Sequence, residues 1–179
     1  MIFTPNKIEG SFVIDLNPIV DERGFFSRVY CKDEFLKHNI NNEWVQSNQA
    51  FSRERGTLRG IHFQKRPFSE AKLVKCIRGS IWDVCVDLRE RSASFGEWFG
   101  TELSESNKKM LFIPEGCAHG YLTLENNSEL IYQVSNFYNP SSEVVLSWND
   151  PTLDIQWPIN PIHLSEKDQN GNLFKNLDL

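Results

Sequence analysis

The run Gly56-Thr57-Leu58-Arg59-Gly60-Ile61-His62-Phe63-Gln64 sets a guanidinium, an imidazole and a carboxamide close together on a segment that reads as a short β-strand. Such groups need a wet, concave destination, because burying them without partners is costly. A neutral imidazole is both a base near pH 7 and a metal ligand. A guanidinium suits phosphate oxygens. A second histidine, His119, follows the glycine turn Pro114-Glu115-Gly116-Cys117-Ala118. The sequence therefore offers His62 two kinds of chemistry, proton transfer or metal ligation.

The elements that must position these groups are mostly strands. Ser11 to Leu16 alternates and ends at Asn17-Pro18, and the turn Asp21-Glu22-Arg23-Gly24 leads into Phe25 to Tyr30. Lys32 to His38 is expected to be a helix ended by Asn39 to Asn42. Trp44 to Phe51, Lys72 to Ile77, Phe95 to Gly100 and Lys109 to Ile113 read as further strands. Between them, Trp82, Val84, Val86 and Leu88 share one face of a strand while Asp83, Cys85 and Asp87 share the other. Glu129 to Tyr138 alternates again, with Leu130, Tyr132, Val134 and Tyr138 on one side. Roughly ten strands at such spacing, with little helix, imply an all-β sandwich or barrel.

Composition narrows the class. A chain of 179 residues with 40% hydrophobic and 24% charged residues suits one globular domain over 1–179. No apolar run approaches the roughly 18 residues that span a bilayer. The net charge of -5 argues against nucleic acid as a partner, though not against a small phosphorylated ligand. Cys31, Cys76, Cys85 and Cys117 have no paired spacing and are expected to be reduced thiols of a cytoplasmic protein. The five tryptophans, Trp44, Trp82, Trp98, Trp148 and Trp157, are expected in the core.

Metal ligation can be tested on spacing. Metal-binding cupins carry a His-x-His pair with a nearby Glu, then a Pro-x-Gly-x-x-His. Pro114-x-Gly116-x-x-His119 matches the second motif, but Gln64 stands where the first needs its second histidine. With a ligand missing, a metal site is not expected.

Beyond these motifs, the chain resembles the dTDP-4-dehydrorhamnose 3,5-epimerases, a metal-free family of nucleotide-sugar enzymes. The likeness runs from about Ile8 to Asp168. It rests on Asp21 to Phe26, Leu58 to Gln64, Lys72-Leu73-Val74, Asp83 to Arg89 and Ile113 to Gly120, then on Trp148 to Pro151, Ile155 to Pro158 and Ser165 to Asp168. The resemblance implies a cupin-like jelly roll with one or two short helices and a C-terminal tail packed on the barrel. It implies no cofactor, a nucleotide-diphospho-4-keto sugar as substrate, no membrane partner, and a homodimer whose N-terminal strands cross between subunits.

Roles carried over by resemblance fall on matching positions. His62 is the base that removes a proton beside the ketone, and Asp168 fixes its tautomer. Lys72 supports the enolate, and Tyr132 returns a proton on the opposite face. Arg23, Arg59 and His119 contact diphosphate or sugar, Gln46 and Asn48 line the pocket, and Phe26 and Tyr138 adjoin the base. Asp83 is the supporting carboxylate. Several positions depart from the family pattern: Ser27-Arg28 replaces a Glu near the base, reversing charge. Ser47 replaces Asp, Glu70-Ala71 replaces Gln-Gly, and Gln133 replaces Lys. These changes leave open a single-carbon epimerase of a CDP- or GDP-linked sugar. A metal-dependent cupin enzyme and a non-catalytic sugar-binding module are the readings from other classes.

Overall fold

Valine, isoleucine and aromatic residues dominate the alternating runs, and side chains of this kind fit a pleated, half-buried surface. The computed structural model describes residues 1–178 and turns these runs into strands. In chain order they are β1 (Ile2–Pro5), β2 (Phe12–Asp15), β3 (Ile19–Asp21) and β4 (Gly24–Phe26), followed by helix α1 (Lys32–Leu36). Then come β5 (Gln46–Ser52), β6 (Leu58–Gln64), β7 (Lys72–Arg78), β8 (Ser80–Asp87) and β9 (Trp98–Ser104). The remainder are β10 (Lys109–Ile113), β11 (Cys117–Thr123), β12 (Ser128–Val134), β13 (Glu143–Val145) and helix α2 (Glu166–Gln169).

Two antiparallel sheets carry the molecule. One has the order β1-β2-β10-β7-β12-β5 and the other β13-β6-β11-β8-β9, while β3 and β4 form a hairpin apart from both. Val74, Cys76, Leu111 and Leu130 of the first sheet pack against Ile81, Cys85, Leu103 and Tyr121 of the second. Both outer faces are covered as well. Phe35 of α1 and Ile40 lie over Ile14, Leu73, Met110 and Phe112. The tail residues Leu153, Ile155, Trp157 and Phe174 lie over Val84, Val86 and Leu88. Burying a side chain of this size contributes about 1.5–3 kcal/mol, so the docked tail is a substantial part of the fold. On β8 the apolar parity therefore faces the tail, and Asp83, Cys85 and Asp87 face the space between the sheets.

Several sequence boundaries shift. The α1 helix stops at Leu36 rather than His38, because Asn39 takes φ 60 and Ile40 N–H turns back to Phe35 O. The strand expected from Phe95 begins at Trp98, since Phe95 and Gly96 lie in a turn closed by Gly96 N–H on Asp87 O. Tyr138 is not on β12, which ends at Val134 before the chain bends away. The short β1, β3 and β13 are additional to the expected strands. Cys76, Cys85 and Cys117 are buried free thiols. Trp82, Trp98 and Trp157 pack on the tail side and Trp44 on the α1 side.

One irregularity controls the inner surface. β11 pairs His119 with His62 and Tyr121 with Arg59. Only Gly120 separates the pair on β11, whereas Gly60 and Ile61 both separate it on β6, which makes a bulge. Residues three apart on a regular strand point to opposite faces. The extra residue brings Arg59 and His62 to the same face. Gly60 has φ 128, and a Cβ there would lie 2.5 Å from the Gly120 Cα, so the two backbones approach more closely than any side chain permits.

Gly60→Ala is accordingly expected to destabilise the fold by about 1–3 kcal/mol or more, read from urea unfolding. Gly10→Ala is the control, because Gly10 also has positive φ but nothing within 4 Å of a new Cβ. Equal losses in the two variants would mean that the Gly60–Gly120 approach carries no special weight.

Candidate active site

The best-defined feature of the inner surface is a histidine–carboxylate pair. His62 Nε2 lies 2.6 Å from Asp168 Oδ1, although 106 residues separate the two in the chain. Asp168 is placed by its own helix. Ser165 caps α2, its hydroxyl accepting the Asp168 N–H at 3.1 Å and donating to Asp168 Oδ2 at 2.8 Å. Burial pulls the Asp168 carboxyl upward, but the bonds from His62 and Ser165, with the Gly60 backbone, outweigh it and hold it below the usual range. An ionised carboxylate can only accept, so in the neutral imidazole the hydrogen sits on His62 Nε2 and the lone pair on Nδ1. The His62 side chain is 29% exposed and Asp168 only 5%. The imidazole therefore reaches a cleft of about 500 Å³ that also meets Arg59, His163, Ser165 and Lys167.

The opposite sheet supplies the facing groups by register. Tyr132 lies level with Asn48 and Val74, and Lys72 with Val134. Gln46 is also level with Val134. Since Val74 and Leu130 of these strands belong to the inner core, Tyr132, Lys72, Asn48 and Gln46 share that inner face. Lys72 is buried, its Nζ 3.0 Å from Glu70 Oε1. The Tyr132 phenol is pushed above its ordinary value, first by burial and then by Glu70, with Arg59 pulling down and Glu143 up. Arg59 reaches across to β5, its Nε donating to Ser52 Oγ at 3.3 Å and its NH2 to Phe51 O at 3.1 Å. His62 thus lies on the inner face of one sheet, and Tyr132 and Lys72 on the inner face of the other.

A family model described as dTDP-4-dehydrorhamnose 3,5-epimerase matches residues 5–176. The chain belongs to that family. An enzyme of that name from Shigella flexneri is 42% identical over 159 residues, covering 88% of this chain and 87% of its own. The crystal structure of the Elizabethkingia anophelis NUHP1 enzyme superposes with a TM-score of 0.94 at 40% identity, covering 98% of this chain and 97% of that one. A Legionella pneumophila epimerase, solved in complex with dTDP-4-keto-L-rhamnose, gives 0.94 at 34% identity over 99% and 94% of the two chains. The chain is thus an epimerase, and its two-sheet architecture is the cupin-like jelly roll of these relatives.

Within the epimerase, His119 forms a second pair: its Nε2 lies 2.7 Å from Asp83 Oδ1, and both residues are buried. Asp83 thus holds the His119 imidazole. Gln64, the residue that broke the metal motif, is engaged with backbone. Its amide nitrogen donates to Phe68 O and Phe137 O, and its oxygen accepts Asn139 N–H. Tyr138 lies just outside, with its N–H on Gln46 Oε1 at 2.7 Å and its hydroxyl on Glu143 Oε2 at 2.9 Å. Lys167 Nζ lies 2.5 Å from the same carboxylate oxygen. Burial raises the Glu143 carboxyl, and Lys167 and Tyr138 outweigh it, keeping the group below its usual value.

Three expected residues are not brought to this site within one chain. Arg23, Phe26 and Arg28 belong to the β3–β4 hairpin and the segment after it, all exposed. Arg23 is paired with Asp21 at 2.5 Å and Arg28 with Glu34 at 3.4 Å. Conversely, the geometry adds Glu70, Glu143, Ser165 and Lys167, to which sequence reasoning gave no individual role. Ser165 and Lys167 lay inside a recognised motif, and Ser-x-x-Asp was legible as a helix-start signal. Glu143 sits on a three-residue strand, too short to show alternation.

Asp168→Asn is expected to lower kcat by about 10²- to 10⁴-fold, because an amide no longer compels the Nε2–H tautomer. It should also change acid stability. A carboxyl held below its unfolded value of about 3.9 adds stability that is full above that pH and fades as pH falls through the lower folded value. Urea unfolding measured between neutral and acidic pH should therefore show a shallower acid loss in the variant. An unchanged slope would mean that Asp168 is not held ionised by His62 and Ser165.

Proposed function

We propose that the epimerase inverts C3 and C5 of a dTDP-linked 4-keto-6-deoxysugar, with His62 as base and Tyr132 as acid. The observation that carries this reading is the Asp168-held imidazole on the inner face of one sheet, with Tyr132 and Lys72 on the inner face of the other. A C–H beside a ketone is acidic only because its electrons can move onto the carbonyl oxygen. His62 Nδ1 takes that proton, and the imidazolium is stabilised by Asp168. Negative charge gathers on the C4 oxygen, where the Lys72 ammonium meets it; loss of one such donor typically costs about 2.7–4 kcal/mol. Tyr132 then protonates the carbon from the other face, which inverts it. Exchange of protons with solvent returns His62 and Tyr132 to their starting states.

Recognition follows from the remaining groups. Arg59 and His119 lie on the His62 side, suited to diphosphate oxygens or sugar hydroxyls. Gln46 and Asn48 line the interior, and Tyr138 offers an exposed ring at its edge. The thymidine choice is supported by the Legionella relative, whose structure holds a dTDP-4-keto sugar. A homodimer belongs to the same proposal. The hairpin exposes Ile19, Val20, Phe25 and Phe26, an apolar surface that a second copy would cover while bringing Arg23 and Phe26 to its site. A cytoplasmic setting is supported by the free, buried thiols. The reversed charge at Ser27-Arg28 favours, as a second reading, one-carbon epimerisation of a CDP- or GDP-linked sugar.

Incubation with thymidine-, cytidine- and guanosine-linked 4-keto-6-deoxyglucose in deuterated water tests these readings. Mass gain at both C3 and C5 of the thymidine substrate is expected, and gain at one carbon of another nucleotide would select the second reading. No gain with any substrate would sink both. His62→Ala should abolish exchange. Tyr132→Phe should exchange without inverting, and full epimerisation in that variant would remove Tyr132 as the acid.

A further inference from the structure

We propose that Glu70 is a positioning residue of this epimerase: it holds the Lys72 ammonium for the developing enolate. The inference rests on the roles proposed above for Lys72 and Tyr132. Its starting point is an ion pair, Lys72 Nζ to Glu70 Oε1 at 3.0 Å, with side chains only 8% and 11% exposed.

A lysine stem has four flexible carbons, and an ammonium taken out of water needs a partner. The other carboxylates of the interior are already engaged. Asp168 serves His62 and Ser165, Asp83 serves His119, and Glu143 serves Tyr138 and Lys167. Glu70 is the carboxylate left to fix Lys72. Its own place is fixed by backbone, because Ala71 N–H donates to Ser135 Oγ at 2.8 Å and Ser135 N–H donates to Ala71 O at 3.0 Å. That clamp ties the segment leading into β7 to the end of β12, the strand that carries Tyr132. A cation that is already in position when charge develops stabilises it without reorganising.

The titratable groups that act on the Tyr132 phenol are Glu70 just before β7, Arg59 on β6, Glu143 on β13 and Tyr121 on β11. Among the carboxylates, Glu70 opposes ionisation of the Tyr132 phenol more strongly than Glu143 does. The acid therefore stays loaded to higher pH with Glu70 present. The sign is definite: an anion removed from beside a phenol makes that phenol easier to ionise.

The test is the pH profile of kcat and KM for epimerisation of dTDP-4-keto-6-deoxyglucose by the enzyme and three variants, Glu70→Ala, Glu70→Asp and Glu70→Gln. Glu70→Ala removes the partner of the ammonium and should lower kcat by about 10- to 100-fold while leaving KM within about twofold. Glu70→Asp keeps the charge but shortens the reach, so it should also lose kcat. Glu70→Gln restores the residue of the family pattern, keeps an oxygen at the same reach and loses only the charge, so it should hold kcat while its alkaline limb moves to lower pH. If Glu70→Ala does not fold, Glu70→Asp alone still decides, and a wild-type kcat in it overturns the proposal. A wild-type kcat in Glu70→Ala, or a rise in KM with kcat unchanged, also overturns it. A wild-type enzyme that exchanges no deuterium removes the epimerase mechanism itself, and this proposal with it.

Discussion

The contact between two backbones at Gly60 and Gly120 is the constraint on which the site depends. The alternation of a β-strand forbids two residues three apart from facing the same way. Arg59 and His62 nevertheless both face inward, because Gly60 and Ile61 together stand opposite Gly120 alone. Without that extra residue, either the guanidinium or the imidazole would be turned into the apolar layer under the tail, where neither could find partners. The same bulge lets the Gly60 backbone add to the groups that hold the Asp168 carboxylate ionised. A local departure from regular pairing thus sets the direction in which His62 faces.

The interior tolerates its polar groups because four of its carboxylates have a charged or imidazole counterpart. Asp168 meets His62, Asp83 meets His119, Glu70 meets Lys72, and Glu143 meets Lys167. Removing one member of such a pair strands the other in a medium that screens poorly, which is why single substitutions here are costly. The arrangement also separates functions by sheet. His62, the proposed base, and Arg59 stand on one sheet, and Tyr132, the proposed acid, and Lys72 on the other. An inversion needs that separation, since the proton must leave and return on opposite faces of the same carbon.

Much of the fold was legible because its signals are local. Alternation on β8 and β12 and the glycine turns before β6 and β11 gave an all-β architecture directly. Boundaries failed where hydrogen bonds between distant segments decide them, as in the Gly96 turn onto Asp87. The site was legible only in part. His62 looked chemical from its neighbours alone, but nothing local connects it to Asp168, and only the family resemblance supplied that partner. Glu143 was missed because β13 is too short to announce itself. Glu70 was seen as a departure from the family, yet its pairing with Lys72 is a property of side-chain reach that no spacing reveals. Arg23, Phe26 and Arg28 were read from a motif that the single chain leaves on an exposed hairpin.

The docked tail ties burial to chemistry. Every strand precedes α2 in the chain, so Asp168 comes from a segment that neither sheet contains. The apolar residues of the tail settle over Val84, Val86 and Leu88, and the same docking holds the carboxylate against His62. A substitution far from the cleft that loosens this apolar seam therefore also loosens the hydrogen bond on the imidazole.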